Sequence, residues 1–155
     1  MCDTPRSSGQ DELPLSIIAR RTGDHNKPPT KEMRVNPQMI LVAGPYRSGT
    51  NDDPVLIEKN VQAMTEACLR LFRVGHLPVM GEWYALPLIE HAGSRRIGDP
   101  VFNEIFHPIS RRLVAKCDGC LRIGGPSAGA DEMVALARQY GKAVYWSLEE
   151  VPTAV

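Results

Sequence analysis

The sequence predicts an α/β fold: a three-layer, Rossmann-like open parallel sheet of about four to five strands with helices on both faces. Three observations carry this expectation. Short apolar runs alternate with amphipathic helical stretches along most of the chain. Met39-Ile40-Leu41-Val42-Ala43 is apolar at every position, as a central parallel strand buried on both faces requires. Cys120-Leu121-Arg122-Ile123 runs into Gly124-Gly125-Pro126-Ser127-Ala128-Gly129-Ala130-Asp131-Glu132 and then into a helical pattern, Met133 to Tyr140. That order is strand, glycine-rich turn and helix N-terminus, a natural place for an anion. Parallel sheets built this way have right-handed crossovers and bind ligands at the carboxyl ends of their strands.

Residues 1–36 are rich in Pro, Ser, Gly and charge, with one apolar island at Leu13, Leu15, Ile17 and Ile18. They predict a mobile extension or one draped on a partner subunit, ahead of an α/β domain over 37–155. After the first strand comes the loop 44–53, and then a helix started by Pro54 with Asp53 as N-cap. Ile57, Val61, Met64, Cys68 and Leu71 form its apolar stripe, and Gly75 ends it. His76 to Met80 reads as the second strand, with Gly81 to Pro87 as a loop at its carboxyl end. Residues 93–99 read as a surface loop, and a second helix as Pro100 to Lys116. Its stripe is Val101, Ile105, Ile109 and Leu113, and Pro108 inside it predicts a kink or a break into two pieces. The third helix closes at Gly141, Ala143 to Trp146 is the fourth strand, and Ser147 to Glu150 adds a helical turn.

Composition narrows the function classes. The chain has 155 residues, long enough for one domain with a real core, and its 18 basic residues balance its 18 acidic ones. Neither a nucleic-acid tail nor a membrane-surface patch is expected, and no apolar run approaches the roughly 20 residues of a membrane span. The first residues lack the basic-then-apolar order of a signal peptide, so a cytoplasmic location is expected. Among the four cysteines, Cys117-Asp118-Gly119-Cys120 is a C-x-x-C. It lies where a helix gives way to a strand, the reverse of the redox arrangement, and no second ligand pair accompanies it. Buried, reduced thiols are the expectation, with no metal and no cofactor.

Three loops meet at the expected ligand end. Gly44 to Thr50 spells G-x-x-x-x-G-T without the lysine of a phosphate-binding P-loop, and Gly124-Gly125 lacks the dinucleotide spacing. Arg47, Ser48 and Thr50 can still hold a single phosphate, Arg47 bidentately, though an exposed turn arginine is an equal reading. Ser127 is either a phosphate donor or the cap of its turn. Glu82 and Trp83, with Tyr84, offer an acceptor and a stacking face for a base, while the simpler reading, the favoured one, packs Trp83 against the second helix. Asp131 suits the helix dipole, and Glu132 could act as nucleophile on an anomeric carbon or as base for a water. The histidines 76, 91 and 107 are isolated in sequence and read as surface or capping residues.

Leu41-Val42-Ala43-Gly44-Pro45-Tyr46, Asn60 and Gly75-His76, and Asp118 followed by a strand and Pro126 to Glu132 with Gly141-Lys142 together span about residues 38–147. In their order and spacing the chain resembles the nucleoside 2-deoxyribosyltransferase-like superfamily, which is similar in architecture to the lysine-decarboxylase-like phosphoribohydrolases. The resemblance implies hydrolysis or transfer at the N-glycosidic bond of a nucleoside or nucleoside 5′-monophosphate. It makes Glu132 the nucleophile, with Asp131 and Tyr46 as further catalytic candidates. Arg47 and Ser127 fall at positions that hold a 5′-phosphate, and Gly44 and Gly129 shape the pocket. Pro45, Ser48, Gly125, Glu82 and Trp83 complete the candidate binding set. The family glutamate commonly lies four residues after a glycine; Glu132 lies three after Gly129, and one residue turns a helix by about 100°. Homodimers or larger assemblies are implied. The same pocket without turnover would make a nucleotide sensor or an oligomeric interaction domain.

Overall fold

The computed structural model describes residues 34–154. The apolar runs become four strands: β1 Met39–Ala43, β2 Leu77–Val79, β3 Gly119–Arg122 and β4 Ala143–Tyr145. They form one parallel sheet in the order β2-β1-β3-β4. Leu41 stands opposite Val79 on one side and Cys120 on the other, and Cys120 opposite Val144. The connecting helices are α1 Pro54–Arg73, α2 Gly81–His91, α3 Pro100–Lys116 and α4 Ala128–Gln139, with a 3-10 turn at Leu148–Glu150. This is the three-layer open sheet that the alternation predicts.

The pleat sorts β1 between two cores. Ile40 and Val42 join Leu121 and the α1 residues Met64, Ala67, Cys68 and Leu71 on one face. Leu41 and Ala43 join Cys120, Val114 of α3, and Ala130, Met133, Val134 and Ala137 of α4 on the other. That division explains why β1 is apolar throughout. The chain leaves β1 toward β2 over the α1 face and returns to β3 and β4 over the α3/α4 face. The direction therefore reverses between β1 and β3, which opens a crevice at their carboxyl ends.

Helix α1 matches its stripe, with Ile57, Met64, Cys68 and Leu71 buried and Asp53 accepting from the Val55 N–H at 2.9 Å. Several expectations are corrected. Gly81 to Pro87 is not a loop but the first part of α2. Gly81 and Pro87 resemble loop punctuation, yet Gly81 serves close packing: a Cβ there would stand 2.1 Å from Ser110 Oγ on α3. Helix α3 is a single helix, with Pro108 inside it and no break. The proline leaves only the Glu104 carbonyl without its helical donor. The buried residues of α3 are Phe102 and Val114, while the expected stripe is half-buried, with Ile105 and Ile109 against α2 and Leu113 against the core shared with α4. Helix α4 begins at Ala128, ahead of its apolar pattern, because Ser127 caps it.

The expected extension 1–36, with Cys2 and its apolar island, lies outside the described residues as far as residue 33. Residues 34–36 belong to the folded body, since Val35 donates to the Thr153 carbonyl at 3.1 Å and pairs with Ala154. His76 is a buried clamp rather than a surface residue. Its Nδ1 accepts from the Gln38 N–H at 3.1 Å, which leaves Nε2–H to donate to the Pro152 carbonyl at 2.6 Å. Cys117 and Cys120 are fully buried, and burial pushes their thiols up to about 11 and about 12. No helix among the described residues is long and apolar enough to cross a membrane.

Candidate functional site

A cavity of about 280 Å³ opens where the strand order reverses, at the carboxyl ends of β1 and β3. Its floor is the end of β1 with Gly44, and its walls come from the loop after β1, the start of α2, one face of α3 and the start of α4. Each wall has a local cause. Asn60 Nδ2 donates to the Tyr46 carbonyl at 2.9 Å, and the Thr50 hydroxyl donates to the Arg47 carbonyl at 2.6 Å. These bonds fold the 44–53 loop back, so Thr50 is buried and engaged within it rather than offered to a ligand. Ser127 accepts from the Ala130 N–H at 3.2 Å as N-cap of α4 while also lining the cavity. Both of its expected roles, cap and ligand-facing hydroxyl, fall on the same side chain. The first N–H groups of a helix have no helical partners, and Ala128 and Gly129 border the cavity there.

The cavity contains one carboxylate among the described residues, and it belongs to Glu82. Glu82 occupies the second position of α2, is only 9% exposed, and forms no ion pair with any described residue. Burial raises its pKa from the ordinary carboxylate value, an effect that its own backbone N–H only partly offsets. Neighbouring groups feel it. The Tyr46 phenol is raised by burial first and by the Glu82 charge second. The Cys68 thiol is pushed up to about 12 by the same two causes.

The other candidate carboxylates are held in pairs outside the cavity. Glu132 Oε1 accepts from Arg111 Nε at 2.8 Å on the outer side of α3 and α4 and does not line the cavity. Gly129, Ala130 and Met133 take the inner face of α4, and the rotation of about 100° per residue carries Glu132 off it. Asp131 pairs with Arg122 at 3.0 Å and is likewise outside. Arg122 is a residue that the sequence reading missed. Buried at the end of β3, it donates from Nη2 to the Gly125 carbonyl at 2.7 Å and from Nη1 to the Ile123 carbonyl. Asp131 thus anchors the arginine that shapes the glycine turn. Arg47 is bound through Nε and Nη2 to Asp52, the latter at 2.7 Å, and still borders the cavity.

Of the binding candidates, Gly44, Tyr46, Arg47, Ser48, Glu82, Ser127 and Gly129 converge on the cavity. Pro45, Gly125 and Trp83 do not line it, and Trp83 is 44% exposed on the outer face of α2. The aromatic wall of the cavity is instead Tyr46 with Phe102 and Phe106, whose ring centroids are 5.0 Å (Tyr46–Phe106) and 4.7 Å (Phe102–Phe106) apart. No protein-family model matches this chain, and no curated protein matches it.

Asn103, His107 and Ser110 also line the cavity, and sequence reasoning set none of them there. The signal was present: with Phe106 they recur at spacings of three and four, one face of α3. His107 lies close to Gly129, since a Cβ on that glycine would be 3.2 Å from the imidazole Cε1. The cavity therefore joins a desolvated carboxyl group, a half-buried phenol, an imidazole, three serine hydroxyls and an aromatic wall. That set can hold a planar ring, move a proton and place a carboxylate against an electrophilic carbon.

Proposed function

We propose that this protein cleaves or transfers an N-glycosidic bond of a nucleoside or nucleoside 5′-monophosphate, with Glu82 as the reacting carboxylate. The observation that carries this reading is the buried, unpaired Glu82 at the reversal of strand order, facing an aromatic wall across the cavity. A carboxylate whose pKa is raised is a better nucleophile or base once ionised, and the low-polarity site excludes competing water. The nucleobase stacks on Tyr46 and Phe106, and its departure requires a proton, for which the Tyr46 phenol and the His107 imidazole are the donors at hand. Glu82 then either forms a covalent glycosyl ester or activates the water that attacks. The resemblance drawn from the sequence supports the reaction class, while the geometry supports Glu82 over Glu132.

A panel of nucleosides and 5′-monophosphates tests this reading, with melting temperature and chromatography for free base measured on the same samples. The expected result is stabilisation by a subset of ligands together with released base. Stabilisation with intact ligand after prolonged incubation would mean a nucleotide-binding protein without turnover. No stabilisation and no released base from any compound would refute the proposal.

A further inference from the structure

We infer that Ser110 reads the 2′-hydroxyl of the substrate sugar, so that the site takes ribonucleosides in preference to 2′-deoxyribonucleosides; this rests on the glycosidic reading above. Ser110 lies on the face of α3 that lines the cavity, about one helical turn beyond Phe106. Its hydroxyl stands against the first residue of α2, since a Cβ on Gly81 would be 2.1 Å from Ser110 Oγ and 3.7 Å from Ser110 Cα. That approach depends on glycine. Ala85 and Ile89 of α2 pack with Phe102, Ile105 and Ile109 of α3 and hold the two helices in this relation. Gly81 directly precedes Glu82, so the serine hydroxyl and the reacting carboxylate reach the cavity from the two partners of one helix–helix contact.

The hydroxyl is also free to bind. Its one hydrogen bond among the described residues goes to the Phe106 carbonyl at 3.5 Å, beyond the ordinary O–H···O range of about 2.5–3.0 Å. Its donor and both acceptor sites are therefore open to a ligand. Of the three cavity serines, Ser110 is the one set against the start of α2, while Ser127 caps α4 and Ser48 lies in the loop after β1. Helix α3 then lays a nucleoside along its cavity face. The base sits on Phe106, and four residues, about 6 Å of helix, carry the sugar to Ser110 and Glu82. In a β-nucleoside the 2′-hydroxyl lies on the sugar face opposite the base, the face that an attacking carboxylate or water must approach. A carboxylate at the anomeric carbon therefore has the 2′-position beside it, and Ser110 is the hydroxyl beside the start of that carboxylate's helix. The 2′-hydroxyl both donates and accepts, and hydrogen bonds to it strengthen as the anomeric carbon gains positive charge. A site that pairs a substrate hydroxyl discriminates against the analogue lacking it, because its own polar group is then left unpaired.

The test compares the full chain with Ser110→Ala on matched ribo- and 2′-deoxyribonucleosides of adenine, guanine, cytosine and uracil, with 3′-deoxyadenosine as a control. Affinity is titrated calorimetrically and base release is followed by chromatography, with melting temperatures to show that both proteins are folded. The unsubstituted chain is expected to bind the ribonucleoside of a pair more tightly. Ser110→Ala is expected to lower the ribo-to-deoxyribo ratio, in affinity and in kcat/KM, by about 3- to 10-fold, the size of one hydrogen bond. 3′-Deoxyadenosine keeps its 2′-hydroxyl and should follow adenosine. Released base with an unchanged ratio, or with equal losses for both members of each pair, would overturn the assignment and leave the glycosidic reading standing. So would an unsubstituted chain that binds the 2′-deoxy member as tightly, or a loss that follows the 3′-hydroxyl. An affinity ratio that depends on Ser110, with no base released from any compound, would uphold the assignment and reject the glycosidic reading. No binding of any nucleoside would refute both.

Discussion

Gly81 sets the position of Glu82, and Gly81→Ala perturbs the site through packing alone. The new Cβ would stand 2.1 Å from Ser110 Oγ and 3.3 Å from Ser110 Cβ, whereas ordinary contact begins at 3.4 Å. Either α2 and α3 separate or Ser110 leaves its rotamer, and inserting a methyl into such a contact costs about 1–3 kcal/mol. Alanine is favoured over glycine in a helix by at most about 1 kcal/mol, which offsets part of the strain. A net loss of about 1–2 kcal/mol lowers the melting temperature by about 2–8 °C in a chain of this size. The double variant Gly81→Ala/Ser110→Ala removes the nearest contact, so the same glycine substitution should become close to neutral there. Melting curves of the four proteins form the cycle, with a coupling of about 1–2 kcal/mol expected. A stable Gly81→Ala single variant, or no recovery in the double, would refute the close-approach argument.

Glu82→Gln should change the pH dependence of stability. The folded-state pKa of Glu82 lies above its ordinary value of 4.5, so the neutral form is favoured in the folded chain. Its stabilising contribution is present below 4.5 and is lost as pH rises through the raised folded value; the variant lacks this decline, which paired melting curves across pH detect. If ionised Glu82 reacts, the acidic limb of the rate profile should also lie above the ordinary carboxylate range. Arg122→Ala should destabilise more than Asp131→Ala, as measured by denaturant midpoints. The arginine is buried and ties the Ile123 and Gly125 carbonyls together, so its loss empties a packed site and frees the glycine turn, whereas the carboxylate of Asp131 is largely exposed. Ser127→Ala should cost about 1 kcal/mol through loss of the α4 cap, read in the same way.

The sheet was legible because its signals are local. The apolar run of β1 and the stripe of α1 each follow from the faces they bury, and both appear in the structure as read. The start of α2 was not legible, because Gly81 resembles a loop residue until Ser110 of α3 is known to stand against it. The convergence of the loop after β1 with Ser127 was readable from the rule that ligands gather at strand ends. The choice among carboxylates was not, since it depends on which ones find cations. Arg111 reaches from α3 to Glu132 and Arg122 from β3 to Asp131, and no described residue forms an ion pair with Glu82. The spacing between Gly129 and Glu132 was the single sequence feature that pointed the same way. His107 and Ser110 were hidden in a helix read only for its apolar stripe.

The most direct test of the account is the rate of base release by Glu82→Gln beside Glu132→Gln, on the best nucleoside or nucleotide of the panel. Melting temperatures of both variants confirm that they are folded. The account predicts a loss of about 10²-fold or more for Glu82→Gln, the scale of a positioned proton-transfer or nucleophilic group. It predicts little change for Glu132→Gln, whose exposed pair with Arg111 contributes at most about 1 kcal/mol. Near-normal turnover in Glu82→Gln together with loss in Glu132→Gln would contradict the account and return the reacting carboxylate to the glycine-turn helix.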